Sequence, residues 1–347
     1  MDGGRIMAES IFVLTHADET GSALTRASLE AVAAGKALAE QSGAPLTIGI
    51  LAPDSTVVAA ALAEACARVV GVSGEAFAQA RYSSDAAACE ALCKAAQASI
   101  VLGPNSSRIA RVAAGLAHRL GGCIDTHITA IRATSSIEIS RWFYRQRIEA
   151  VMTRATRPWV LLLDAGTHAV FAGEKGQVAV EQVAVSLPSL RTTVTGMRVP
   201  AQDAQTIRPD AKMLFVAGAG WTKKQPDGQV HANEAGNIIL DFLKKANASL
   251  GSSKSLVDQG GEGNSVLPFL THMNQVGQTG STPRHPKGLS TCCHGEEPHV
   301  VGWRFIGERR AISLDPNCGW TRGKADVVYI ADAFKVIAKL NELLGGQ

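Results

Sequence analysis

The 347-residue sequence lacks the features that mark disulfide-rich, zinc-binding, membrane-spanning, nucleic-acid-binding and secreted proteins. Its seven cysteines are odd in number and include no CxxC pair, so neither a disulfide framework nor a structural zinc site is expected. No apolar run reaches the roughly 18 residues of a membrane-spanning helix. No block of like charges suggests a nucleic-acid-binding arm, and the net charge is only +3. Because the N-terminal segment also lacks the apolar core of a secretory signal, we expect a cytoplasmic location.

The first 130 residues alternate short aliphatic runs with Ala-rich helical periodicity, which is typical of βαβ units around a mainly parallel sheet. Strands are predicted at residues 11–14, 46–51, 68–72 and 99–102, and helices at 24–43, 57–67, 85–96 and 109–120. Between residues 128 and 180 the pattern changes to two-residue alternation, including WVLLLD at 159–164. This change predicts antiparallel strands at the end of the first domain.

A polar, proline-containing stretch at residues 200–210 is the predicted linker, with the boundary near Pro209. A second strand–turn–helix pattern follows, with a strand at 212–216, a glycine-rich turn at 218–220 and an amphipathic helix at 232–248. The sequence therefore predicts two α/β domains, residues 1–205 and residues 210–347, the second built on a doubly wound parallel sheet.

The second domain carries five segments in a distinctive order: SKSLVD (253–258), NQVGQTG (274–280), CCHGEEPH (292–299), AISLDP (311–316) and ADVVYIADAFKVI (325–337). In order and spacing they resemble the FAD domain of the electron-transfer flavoprotein α subunit, whose pattern runs SRxxVD, QVGQTG, GISGAIQH, AINKDP and ADxxxxADLFKVVP. Residues 99–131 resemble a segment of that family's first domain. The resemblance implies an N-terminal α/β domain like that of the adenine-nucleotide hydrolases, followed by a C-terminal FAD-binding domain.

The resemblance also implies which residues contact FAD, and it implies no catalytic residue and no metal ligand. Lys254 replaces a family arginine beside the flavin ring, where a cation stabilises the reduced, negatively charged flavin. Gln278 and Thr279 can hydrogen-bond ring atoms, His299 can donate to a ring carbonyl, and Asp332 can accept from a ribose hydroxyl. The full implied set is Ser253, Lys254, Val276, Gly277, Gln278, Thr279, Gly280, His294, Gly295, Glu296, His299, Ser313, Asp332 and Ala333.

Several positions depart from the family pattern, so the chain is expected to be a divergent member. CCHGEEPH replaces GISGAIQH and places two carboxylates near a diphosphate, which costs free energy unless they point away or are paired. Ser313 stands where the family has Asn, and Ala219 where its glycine-rich turn has Arg.

Some of these residues permit other interpretations. Cys292, Cys293, His294 and His299, with His285 and Cys318 nearby, are possible soft metal ligands, but adjacent cysteines rarely bind one tetrahedral metal and no CxxC is present. Glu296 and Glu297 form a possible acid–base pair, although a salt bridge to Arg304 or Arg309 is the simpler interpretation. The aromatic and basic residues at 141–147 fit a subunit or cofactor interface better than single-stranded nucleic acid. Cys89 and Cys93 are expected in the core, and Trp221, Trp303 and Trp320 are expected to be core or interface anchors rather than a stacking platform.

The resemblance implies an electron carrier rather than a stand-alone enzyme. It would form a heterodimer with an electron-transfer flavoprotein β subunit and bind FAD. Its electrons would come from a primary dehydrogenase of the acyl-CoA or N-methyl amine type and pass to a quinone reductase or an iron–sulfur acceptor. Two alternatives stay open: a scaffold subunit of a dehydrogenase complex with a degenerate flavin site, and a stand-alone metal- or flavin-dependent enzyme.

Overall fold

The computed structural model describes residues 9–143, 148–196, 207–208, 210–258, 265–277, 282–291 and 306–346. The chain divides into two compact units, Met1–Met197 and Arg198–Gln347. Most of the predicted linker at 200–210 lies outside the described residues, as does the predicted boundary residue Pro209.

The first unit is built on one mixed sheet. Its strands are β1 (Ile11–His16), β2 (Leu46–Leu51), β3 (Arg68–Val72), β4 (Ile100–Pro104), β5 (Cys123–Ala133), β6 (Ile137–Phe143), β7 (Ile148–Met152), β8 (Trp159–Leu163) and β9 (Glu181–Gln182). The spatial order is β7-β6-β5-β8-β4-β1-β2-β3-β9. Its helices are α1 (Arg26–Ser42), α2 (Ser55–Ala59), α3 (Tyr82–Ala95) and α4 (Ser107–Arg119).

The prediction of antiparallel strands is confirmed at one edge of this sheet and wrong for residues 159–164. β6 pairs antiparallel with β5, and β7 pairs antiparallel with β6. β8, however, lies between β4 and β5 and is parallel to both. All five residues of β8 are buried, and a continuous apolar run is the expected pattern for a parallel strand covered on both faces.

Local signals set the helices of the first unit. Thr25 caps α1 by accepting a hydrogen bond from the Ser28 backbone N–H, and Gly43 ends it with a left-handed φ of 67°.

Cys89 and Cys93 lie one turn apart on α3 and are both free and buried, as predicted for core residues. Burial raises the pKa of the Cys89 thiol to about 12, which favours the neutral thiol expected of a core cysteine.

The second unit contains an all-parallel sheet, as expected for the doubly wound fold class. Its strands are β10 (Met213–Ala217), β11 (Ser249–Ser252), β12 (His285–Thr291), β13 (Ile306–Ser313) and β14 (Val327–Ile330), and its helices are α5 (Ala232–Ala246), α6 (Lys254–Asp258), α7 (Gly319–Lys324) and α8 (Ala333–Gly345). The strand order is β11-β10-β12-β13-β14. The chain passes from β10 to β11 on one side and then crosses to β12 on the other, so the topological switch point lies between β10 and β12.

Trp221 lies in the core of the second unit, as predicted. The side chain is 0% exposed and packs on Phe334 of α8 with ring centroids 4.6 Å apart. Its indole Nε1 donates to Thr291 Oγ1 at 2.7 Å, which satisfies the one polar group of the side chain. This contact ties the turn after β10 to the end of β12.

Candidate cofactor site

The carboxyl ends of the second unit's strands form a single edge, called the second-unit edge below. The strand ends there are Ala217, Ser252, Thr291, Ser313 and Ile330. Ligands of open parallel sheets bind outside the carboxyl ends of the strands, at the switch point. The second-unit edge is therefore where a cofactor site is expected.

Three predicted residues meet at the end of β11. The Ser253 backbone N–H donates to the Ala217 carbonyl at 2.9 Å, and the Val276 N–H donates to the Ser252 carbonyl at 3.0 Å. Gly277 follows with a φ of 83°, the left-handed region that favours glycine, and its N–H donates to Thr282 Oγ1 at 2.6 Å. The segment of residues 275–277 thus lies directly against β11.

Gly251 permits this close approach. A Cβ at that position would lie 2.5 Å from Val276 Cγ2, far inside ordinary contact distance. The absent side chain therefore decides how near residues 275–277 come to the strand.

Lys254 presents its charge to solvent. It begins the five-residue helix α6, and its side chain is 57% exposed. Its Nζ lies 3.9 Å from Asp258 Oδ2, one turn further along. The opposite face of Asp258 lies near His272, whose Nε2 is 3.6 Å from Oδ1. An exposed amino group that is only loosely paired remains available to a ligand.

The remaining described site residues lie at the ends of β13 and β14. The Ser313 carbonyl accepts from the Ala331 N–H at 3.0 Å, and the Ser313 hydroxyl is engaged with the backbone of Asp315. Asp332 caps α8, with Oδ1 accepting from the Phe334 N–H at 2.9 Å. Ala333 is 0% exposed and belongs to the core.

The described site residues thus form two groups separated by β10 and β12. Strands lie about 4.8 Å apart, so β11 and β13 are separated by about 14 Å. Only an elongated ligand lying across the switch point could contact both groups.

Half of the implied FAD contacts lie outside the described residues: Gln278, Thr279, Gly280, His294, Gly295, Glu296 and His299. The same holds for Cys292, Cys293, Glu297 and Arg304. Arg309 is described, and its Nη2 lies 2.8 Å from Asp326 Oδ1; the expected salt bridge to Glu296 or Glu297 stays a prediction.

Sequence reasoning missed Ser252. This serine is 0% exposed, and its hydroxyl has no hydrogen-bond partner among the residues that the structure describes. No local pattern could have identified it, because whether a strand-end serine finds a partner depends on groups brought near it by other strands.

The first unit also carries polar groups at the carboxyl ends of its strands. His127 sits in a bulge of β5 with a left-handed φ of 58°, and its Nδ1 lies 3.1 Å from Asp164 Oδ1. The hydrogen bond with Asp164 raises the pKa of His127 against the opposing effect of burial. His16 contacts Ser106 through Nε2 at 2.8 Å, and burial lowers its pKa.

Arg141, from the basic and aromatic cluster, is used inside the first unit. Its Nη1 donates to Asp125 Oδ1 at 3.0 Å, and the same carboxylate is bound by Arg154 and by Trp159 Nε1. Residues 144–147 of the cluster lie outside the described residues. The expectation that the cluster forms a subunit or cofactor interface stays a prediction.

The architecture defines a two-unit α/β protein with a mixed, mainly parallel sheet in the first unit and an all-parallel sheet in the second. The family model of the electron transfer flavoprotein domain matches residues 13–188, just over half of the chain. The chain therefore belongs to the electron transfer flavoprotein family, whose members are flavoproteins. The match lies within the first unit and does not distinguish an α from a β subunit. A search of curated proteins found no match. Among the helices that the structure describes, none has the length and apolar character needed to cross a membrane.

Proposed function

We propose that the protein is the α-type subunit of an electron transfer flavoprotein that holds FAD at the second-unit edge. The α-type assignment is supported by the parallel α/β unit that follows the matched segment and carries the VGQTG motif at 276–280. The subunit would bind, orient and bury the cofactor, with no acid–base catalysis of its own.

One observation carries the proposal: the described site residues lie at two places on one sheet edge, on either side of the switch point. Ser253, Val276 and Gly277 lie at the β11 end, and Ser313 and Asp332 lie at the β13 and β14 end. A dinucleotide has the elongated shape that such a separation requires.

The chemistry of these groups fits FAD. Asp332 uses Oδ1 to cap α8, and its other carboxylate oxygen can accept from a ribose hydroxyl. Lys254 supplies an exposed positive charge at the opposite end of the edge. The buried Ser252 hydroxyl lacks a partner among the described residues, as expected of a group reserved for a ligand. FAD, when bound, supplies the ability to accept and donate electrons.

The proposed partners follow from this role. The chain would pair with an electron-transfer flavoprotein β subunit and receive electrons from a primary flavin dehydrogenase of the acyl-CoA or N-methyl amine type. It would pass them to a quinone reductase or an iron–sulfur acceptor. It is proposed to act as a carrier within an oxidoreductase system rather than as an independent catalyst.

The direct test is the flavin content of the full chain. The protein is purified with its co-purifying partners, its absorbance spectrum is recorded, and the released cofactor is identified by chromatography after acid treatment. We expect one FAD per chain. A colourless protein that also fails to bind added FAD would contradict the proposal and favour a scaffold subunit.

Lys254→Gln tests the role of the charge at the β11 end. We expect the flavin reduction potential to fall, because a nearby cation stabilises the reduced, negatively charged flavin. Lys244→Gln is the matched control, since Lys244 is an exposed lysine near the C-terminus of α5, and that helix end precedes β11 at the opposite edge of the sheet. Equal potentials in the two variants would remove Lys254 from the flavin site.

A further inference from the structure

The Ser252 hydroxyl is a buried polar group without a hydrogen-bond partner in the part of the chain that the structure describes. The residue is 0% exposed. Its backbone carbonyl is employed, because it accepts from the Val276 N–H at 3.0 Å. Leaving a buried hydroxyl unpaired costs free energy, so such a group calls for a partner beyond the described residues.

The position of Ser252 places this hydroxyl at the second-unit edge. It is the last residue of β11, and its register partner on β10 is Ala217, which therefore shares its face of the sheet. After Ala217 the chain continues as Gly218, Ala219 and Gly220, which have little or no side chain to fill the space beyond the strand end.

The Thr291 hydroxyl, on the same face of the sheet, is already committed. Thr291 is the register partner of Ala217 on the other side of β10, and its Oγ1 accepts from Trp221 Nε1 and donates to the Val216 carbonyl at 3.0 Å. Thr291 is also two strand spacings, about 10 Å, from β11. It therefore cannot supply the missing partner.

Ser290 provides a contrast within the same sheet. Its buried Oγ also lacks a partner among the described residues. It lies one residue before the end of β12, however, between the register partners Val216 and Ala311, which are both 0% exposed. Its hydroxyl is enclosed by the apolar interior rather than placed at the strand end.

We propose that the Ser252 hydroxyl is a ligand-binding group that hydrogen-bonds the flavin-ring end of the dinucleotide at the second-unit edge. This inference rests on the proposed function, and the ring end is specified because Lys254, two residues along the chain, is the proposed ring-side cation. The hydroxyl both donates and accepts, so a ring carbonyl or a ring nitrogen satisfies it equally.

The test compares the full-length wild-type chain with Ser252→Ala and Ser290→Ala. Binding of FAD is measured by titration of flavin fluorescence, and the melting temperature is measured without FAD. For Ser252→Ala we expect about a tenfold rise in the Kd for FAD, equivalent to about 1.4 kcal/mol. Its melting temperature without FAD should rise by about 2–4 °C, because an unpaired buried hydroxyl has been removed.

Ser290→Ala separates a ligand contact from a general effect on the sheet. It removes the same kind of buried hydroxyl, so its melting temperature should also rise, but its Kd for FAD should equal that of the wild type. An equal weakening of FAD binding in both variants would overturn the specific role of Ser252.

The outcomes also separate this inference from the proposed function. If the wild type binds FAD and Ser252→Ala binds it equally tightly, the role of Ser252 is refuted and the proposed function stands. A Ser252→Ala protein that melts several degrees lower without FAD would refute that role too, since its hydroxyl would then have a protein partner. If the wild type itself binds no FAD, the proposed function fails and the role of Ser252 fails with it.

Discussion

Replacing Gly251 by alanine should displace the segment of residues 275–277 from β11. A Cβ at position 251 would lie 2.5 Å from Val276 Cγ2 and 3.2 Å from Leu214 Cδ1. Carbon atoms attract each other best at about 3.5–4.0 Å, so Val276 has to move by about 1 Å. Valine is branched at Cβ and stiff at χ1, and a simple side-chain rotation offers little relief.

The cost can be worked out from two opposing effects. Overpacking a tight interior costs about 1–3 kcal/mol. The substitution also restricts the unfolded chain, which returns about 0.4–1 kcal/mol. We therefore expect the second unit to lose about 1–2 kcal/mol of unfolding free energy. If FAD requires Val276 and Gly277 in their present positions, the same strain weakens FAD binding by about 5- to 30-fold.

The assay should report on the second unit by itself. Hydrogen exchange at the amides of β10 and β11 measures the opening free energy of that sheet, and a fluorescence titration measures the affinity for FAD. Gly323→Ala is the matched control, because a Cβ at that position of α7 meets no atom within 4 Å. Alanine is the better helix former, so this control should be neutral or more stable by up to about 1 kcal/mol.

One outcome would contradict the close packing of Val276 on β11. The outcome is that Gly251→Ala and the Gly323→Ala control have the same amide exchange rates in β10 and β11 and the same Kd for FAD. In that case Val276 does not pack closely enough against β11 to be displaced by a methyl group at position 251. The proposed contribution of residues 276 and 277 to the flavin site would then lose its structural basis.

Two further predictions concern the first unit. Asp125→Ala should lower the unfolding free energy of the first unit by about 3–5 kcal/mol in urea denaturation, because the buried Trp159 Nε1 and two arginines lose their acceptor. The control Glu138→Ala removes an exposed ion pair of the neighbouring hairpin and should cost less than about 1 kcal/mol. Equal losses in the two variants would contradict the role of Asp125. Burial lowers the pKa of His16 in the folded protein, so the unfolded chain binds the extra proton and stability falls as the pH drops below about 6.5. His16→Asn should therefore lose less stability between pH 7 and pH 5, and an unchanged pH dependence would exclude this group as a cause.

Much of the secondary structure could be predicted because its signals are local. The stop of α1 depends on Gly43, whose left-handed φ is available to glycine at little cost. The helical period of α5 and the strand patterns of β2 and β3 likewise reside in a few neighbouring residues. For β8, alternation was the wrong signal, because a strand buried on both faces has no polar side to alternate with.

The site was predictable only in part, for a different physical reason. The motif at residues 276–280 marked Val276 and Gly277, and the structure brings both to the end of β11. The close approach made possible by Gly251 depends on Val276, 25 positions away, and the lack of a partner for the Ser252 hydroxyl among the described residues depends on which distant segments pack near it. Pairing and contact between distant segments leave no trace in the spacing of neighbouring residues.

The class of most elements, a two-domain arrangement and the motif order that resembles a flavin-binding domain could be predicted from the amino-acid sequence alone. Apolar periodicity, caps and turn glycines are properties of short segments, and the chain carries them before it folds. The position of β8 between β4 and β5, and the switch point of the second sheet between β10 and β12, became visible only in the folded chain. The burial of Ser252, whose hydroxyl has no hydrogen-bond partner among the described residues, likewise depends on the fold, because strand order and burial are set by packing among segments that are distant in sequence.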